Sequence, residues 1–205
     1  MTTRMLLARH GQTTWNAQNR YMGQVDIPLD ETGKCQVAAL GQRLARETLT
    51  AIYASDLQRA WQTASAVAAY HICPLIPEPR LREMDFGSWQ SLTYTEIQQK
   101  DKINLEAWEA DRLKNSPPGG ESLLQFSARV EAAFKAIIQN HPDETVLLVA
   151  HGGTLKILLC LVLGLPPERY WQIQLSFASL TEIWFYPEGG SLNLLNDTCH
   201  LVEEG

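Results

Sequence analysis

Two apolar runs in this 205-residue chain stop at a histidine followed by glycine. Met5-Leu6-Leu7-Ala8 leads into Arg9-His10-Gly11, and Thr145 to Ala150 leads into His151-Gly152-Gly153. A third run, Ala51 to Ala54, reaches Ser55-Asp56 and then Arg59 in the first turn of the following helix. Imidazole is the side chain that attacks or moves protons near neutral pH. Guanidinium offers planar, paired donors matched to phosphate oxygens. Glycine after each histidine lets backbone approach a ligand closely, and a helix starting after Gly152 offers free N–H groups to an anion. One histidine after a strand is more often structural; two, with two arginines, point to phosphate chemistry.

That chemistry requires the three runs to lie side by side. Continuous apolar strands alternating with helices argue for a mostly parallel sheet covered on both faces, with ligands beyond the carboxyl ends of its strands. The spacing predicts a helix from a Thr32 cap to about Glu47, with Val37, Leu40 and Leu44 on one face, and a second helix capped by Ser55-Asp56. Leu75-Ile76 reads as a short strand. Two short helices are expected at about 93–100 and 104–113, then a Ser116-Pro117-Pro118-Gly119-Gly120 break. A long helix begins at Ser122 and stops near His141-Pro142, and an apolar one covers Ile157 to Leu165. Leu180 to Tyr186 and Leu192 to Leu195 read as late strands. We read 1–205 as one domain, with a helical, lid-like insertion at about 82–120 carrying Trp89, Tyr94 and Trp108 as candidates for the pocket wall.

Composition narrows the partners. The chain is 45% hydrophobic and 20% charged, with a formal net charge of -6. Nucleic acid and anionic membranes call for a basic footprint, so neither is expected as a partner. Cys35, Cys73, Cys160 and Cys199 show no metal-binding spacing, no signal peptide is visible, and the expectation is free thiols in the cytoplasm.

Arg9-His10-Gly11-Gln12-Thr13-Thr14-Trp15-Asn16 resembles the opening motif of the histidine phosphatase superfamily, the phosphoglycerate mutase-like proteins. Similar stretches follow in that family's order: Gly23, Leu29 to Gly33, Ser55 to Ala60 with Thr63-Ala64, and Leu81 to Gly87. Gly119-Gly120-Glu121-Ser122 and Ala150 to Gly153 complete a likeness over about residues 4–200. The resemblance implies a three-layer α/β/α fold around a mostly parallel sheet. It implies that His10 becomes a phosphohistidine while a backbone carbonyl holds its other ring nitrogen. Arg9, Arg59 and His151 would surround the phosphoryl group, with Asn16, Gly23 and the Gly152 N–H as further binding groups. Glu83 would protonate the leaving oxygen and later deprotonate water. No metal or other cofactor is implied; the partner is a small phosphomonoester, and a homodimer is a family expectation.

The mutases of the family carry basic clamps after the acid residue and a longer basic insertion. Met84 to Leu92 lacks such clamps, which favours a phosphatase. The ending Asn196 to Leu201 resembles metal-independent phosphoserine phosphatases, whose tail folds back near substrate, so Thr198 and His200 join the candidates. Phe86 stands where some of those enzymes have histidine, which weighs the other way. L-Phosphoserine is the first expectation; α-ribazole 5'-phosphate or a sugar phosphate is the alternative. A non-catalytic phospholigand-binding protein is the reading from another class, opposed by the retention of His10 and Glu83.

Overall fold

The computed structural model describes residues 2–201. In chain order the elements are β1 (Thr3–Arg9), α1 (Thr14–Ala17), α2 (Glu31–Leu44), β2 (Ala51–Ala54), α3 (Gln58–Ala68), β3 (Leu75–Pro77), α4 (Tyr94–Lys100), α5 (Lys102–Ala110), α6 (Leu123–Asn140), β4 (Thr145–Ala150), α7 (Gly152–Val162), β5 (Leu180–Tyr186) and β6 (Gly189–Asp197). The sheet order is β3-β2-β4-β1-β5-β6. The first four of these strands run parallel; β5 and β6 add an antiparallel edge. Arg9 registers opposite Ala150, so His10 and His151 leave the sheet side by side.

Strand alternation builds the three layers. Met5 and Leu7 of β1, with Val146, Leu148 and Ala150 of β4, pack against Phe126, Val130 and Ile137 of α6 and Leu155 and Leu158 of α7. Leu6, Ala8, Leu147 and Val149 turn to the other face, against Val37, Leu40 and Leu44 of α2 and Ala60, Ala64 and Val67 of α3. Burial on both faces explains the unbroken apolar runs of β1 and β4.

Helix starts differ from the expectation at two places. The cap of α2 is Asp30, whose carboxylate accepts from Gly33 N at 2.8 Å, and Thr32 falls inside the first turn. At α3 the cap position is Leu57, with no side-chain cap; the first amide of the helix, Gln58 N–H, donates to Asp26 Oδ1 at 2.7 Å. Ser122 caps α6 as expected, in a reciprocal capping box with Gln125. Segment 82–120 carries α4 and α5 and its own apolar cluster of Trp89, Ile97, Leu105 and Trp108. Trp89 and Trp108 meet edge to face at 5.5 Å, and Trp89 donates to Asp101. Both tryptophans hold this segment together and do not line the pocket. All four cysteines are free, and no helix among the described residues is long and apolar enough to cross a membrane.

Candidate active site

The His10 backbone is tied at the end of β1: its N–H donates to Ala150 O at 3.0 Å, and its carbonyl accepts from Ala178 N at 3.2 Å. The ring is 1% exposed and its Nδ1 lies 2.7 Å from Gly11 O. A carbonyl only accepts, so Nδ1 carries the proton and Nε2 keeps its lone pair. Burial, then Arg59 and Arg9, hold the His10 pKa well below its ordinary value, so the ring is neutral at pH 7.

His151 lies beside it, with ring centroids 5.2 Å apart. Its Nδ1 accepts from Arg59 Nε at 3.1 Å, so Nε2 carries the proton and donates to Ser55 Oγ at 2.8 Å. The same burial and cations depress its pKa. Both nitrogens of His151 are therefore engaged, whereas one nitrogen of His10 is not.

The two arginines stand differently. Arg9 donates from Nη1 to Leu175 O at 2.6 Å, stacks 3.9 Å over the Phe177 ring and lines the cavity. Arg59 is fully buried, donating to Val25 O at 2.8 Å and Gly23 O at 2.7 Å besides His151. Burial lowers both guanidinium pKa values to about 10, which leaves both charged at pH 7.

Glu83 faces these cations from the other wall. Its Oε2 accepts from Gly153 N at 2.9 Å, in the first turn of α7, and Oε1 from Met84 N at 3.0 Å. A side chain on Gly153 would run into that carboxylate. Arg129 of α6 donates to the carbonyls of Arg80, Arg82 and Glu83, and Thr154 donates to the Arg82 carbonyl. The loop bearing Glu83 is thus clamped by α6 and α7.

A cavity of about 460 Å³ opens between the walls. Arg9, His10, Asn16, Gly23 and Glu83 all line it, as does Tyr94. Asn16 also caps α1 by accepting from Thr13 through Oδ1. Gly23 adopts φ +51° and its carbonyl holds Arg59.

Five of the expected residues stand apart from the wall of this cavity. Arg59 and His151 are fully buried and do not line the cavity; Arg59 donates to Val25 O, Gly23 O and His151, and His151 donates to Ser55 Oγ beside His10. Gly152 packs against Arg9 and lines a smaller neighbouring cavity, while the α7 amide nearest Glu83 belongs to Gly153. Thr198 and His200 lie outside the cavity wall. His200 Nε2 donates to Ala178 O at 2.9 Å instead, one residue from Phe177. Sequence reasoning missed Ser55 as the partner of His151, and it missed Phe177, Gly153 and Arg129. The glycine pair at 152–153 was a visible signal; a mid-helix arginine such as Arg129 gives none.

This is an α/β sheet with a buried neutral histidine among cations at the carboxyl rim of its parallel strands, and a carboxylate across the cavity. Residues 5–198 match the model of the histidine phosphatase superfamily (branch 1), and the chain belongs to that superfamily. Phosphoserine phosphatase 1 of Hydrogenobacter thermophilus is 32% identical over 200 residues, covering 98% of this chain and 95% of that protein. A Cronobacter sakazakii protein named probable phosphoglycerate mutase is 34% identical over 181 residues, covering 86% and 82%. The crystal structure of the α-ribazole phosphatase from Shigella flexneri aligns with a TM-score of 0.89 at 30% identity, covering 95% of this chain and 96% of that one. The chain is a phosphoric monoester hydrolase of this superfamily.

Proposed function

We propose that the protein is a metal-independent phosphomonoesterase working through a phosphohistidine at His10, with L-phosphoserine as its substrate. The observation that carries the mechanism is the Nδ1 hydrogen bond to Gly11 O, which leaves Nε2 as the free lone pair of a neutral ring. In this reading Nε2 attacks phosphorus as the ester P–O bond breaks, and Glu83 gives its proton to the departing oxygen. Water then attacks the phosphohistidine, Glu83 takes back a proton, and the P–N bond breaks to release phosphate. Arg9 faces the phosphoryl oxygens, and Arg59 adds positive charge from behind. Fixed cations of this kind favour charge spread over the equatorial oxygens.

The substrate assignment draws on the relative named phosphoserine phosphatase. With Thr198 and His200 outside the cavity wall, the tail does not support it. A larger leaving group, such as that of α-ribazole 5'-phosphate, has its own support: Tyr21, Phe86, Tyr94 and Phe177 give the cavity an aromatic wall suited to a flat ring. We place the enzyme in the cytoplasm, where the exposed Cys35 and Cys199 would stay reduced. Hydrolysis of p-nitrophenyl phosphate in EDTA tests the mechanism: turnover supports it, and a requirement for added magnesium would overturn it. A panel of phosphomonoesters ranked by kcat/KM decides between the substrates.

A further inference from the structure

Glu83 separates two cavities. Beyond the one at His10 lies a second of about 210 Å³, lined by Arg9, Glu83, Phe86, Gly152, Lys156 and Tyr170 among others. Lys34, Lys102, Lys114 and Lys135 are exposed and paired with carboxylates. Lys100 is exposed at the end of α4 without such a pair among the described residues, and Lys156 differs from all of these in facing a cavity. It is half-buried on the first turns of α7, and among the described residues it makes no ion pair or hydrogen bond. The Tyr170 hydroxyl makes no hydrogen bond among them either. The Nε of Arg9 is buried without a partner and lies beside Gly152 on the wall of the same cavity.

Three donors around one small cavity thus lack acceptors, and two of them are cations. Two cations sharing one carboxylate in a partly desolvated cavity favour a ligand that brings a second negative charge. Glu83 is the one carboxylate on this wall; it is the shared counter-charge of Arg9 and Lys156, and its two oxygens already accept from Gly153 and Met84, so two cations face a single anion. We infer that this second cavity is a subsite for a carboxylate on the leaving group, held by Lys156 and the Tyr170 hydroxyl. The inference rests on the phosphomonoesterase reading and adds a substrate class to it. An acid at Glu83 meets the ester oxygen between the two cavities, and groups beyond that oxygen reach the far one. A carboxylate two carbons from the ester oxygen, as in phosphoserine, fits this placement. An ester without a carboxylate leaves Lys156 unpaired.

L-Phosphoserine and O-phosphoethanolamine differ only in that carboxylate, so the ratio of their kcat/KM values isolates the subsite. The wild-type ratio should favour phosphoserine by about 10-fold or more, the scale of a charged hydrogen bond. Lys156→Met should bring the ratio to about one, and Lys156→Arg should retain most of the preference. Calorimetric Kd values of both compounds on His10→Ala protein, with and without Lys156→Met, give the same comparison where turnover is lost. A wild-type ratio near one, or a ratio that Lys156→Met leaves unchanged, overturns the subsite. Wild-type turnover of p-nitrophenyl phosphate separates the two failures. Its presence with a flat ratio defeats the subsite alone, and its absence defeats the phosphatase reading together with it.

Discussion

His10 and His151 follow parallel neighbouring strands, each precedes glycine, and their rings lie 5.2 Å apart. Local sequence barely separates them, yet they occupy opposite chemical positions. His10 is fixed by a carbonyl one residue away, which leaves the Nε2 lone pair free. His151 is fixed by Ser55, just after β2, and by Arg59 of α3, which use both of its nitrogens. A histidine's role is set by what holds the other nitrogen. Residue type and strand position deliver two candidate nucleophiles; hydrogen-bond partners reduce them to one.

The comparison can be broken most forcefully by exchanging the two residues' fates. His10→Ala should lower kcat by about 10⁴-fold or more, with loss of the phosphoenzyme, because no other nucleophile is placed to act. His151→Ala should cost less, on the order of 10²-fold, and should still form a phosphoenzyme on rapid quench. Equal losses in the two variants would erase the distinction. Glu83→Gln should slow alkyl phosphates by roughly 10²- to 10⁴-fold and p-nitrophenyl phosphate much less, since its leaving group needs little protonation. Uniform losses across leaving groups would remove the acid role. Ser55→Ala leaves the His151 Nε2–H without its acceptor and should lower kcat by about 10-fold, reporting how far His151 orientation matters.

Protonation sharpens the same contrast with smaller effects. Both histidines have folded pKa values depressed below 6.5 by burial and the arginines. The unfolded chain therefore binds more protons as pH falls through 6.5, and stability present above that pH is lost below it. The melting temperature should drop between pH 6.5 and 5, less steeply in His151→Asn. The acid limb of kcat/KM should likewise sit below 6.5, because His10 is active when neutral, and the alkaline decline should begin as the arginines approach pH 10.

Much of the site was legible because its anchors are strand ends. The apolar runs of β1 and β4 stop where His10 and His151 begin, and nothing distant is needed to see that. The Glu83 wall was legible as a motif only. What holds it comes from Arg129, 46 positions away in the chain, and from Gly153, 70 positions away. Such pairings depend on how α6 and α7 pack over the sheet, which periodicity leaves open. The tail is a different case. A local likeness suggested Thr198 and His200 as binding residues, but β6 runs on to Asp197, and His200 ends up bonded to the Ala178 carbonyl. Ala178 in turn donates to the His10 carbonyl, so the tail braces the His10 backbone.

The central claim is that covalent phosphate passes through one nitrogen of one histidine. The direct measurement is to stop turnover of a phosphomonoester in alkali, digest with trypsin and locate the acid-labile phosphate by mass spectrometry. The phosphate should lie on the peptide from His10 to Arg20, at His10, and should disappear in His10→Ala. Phosphate on His151, or undiminished turnover in His10→Ala, would contradict it.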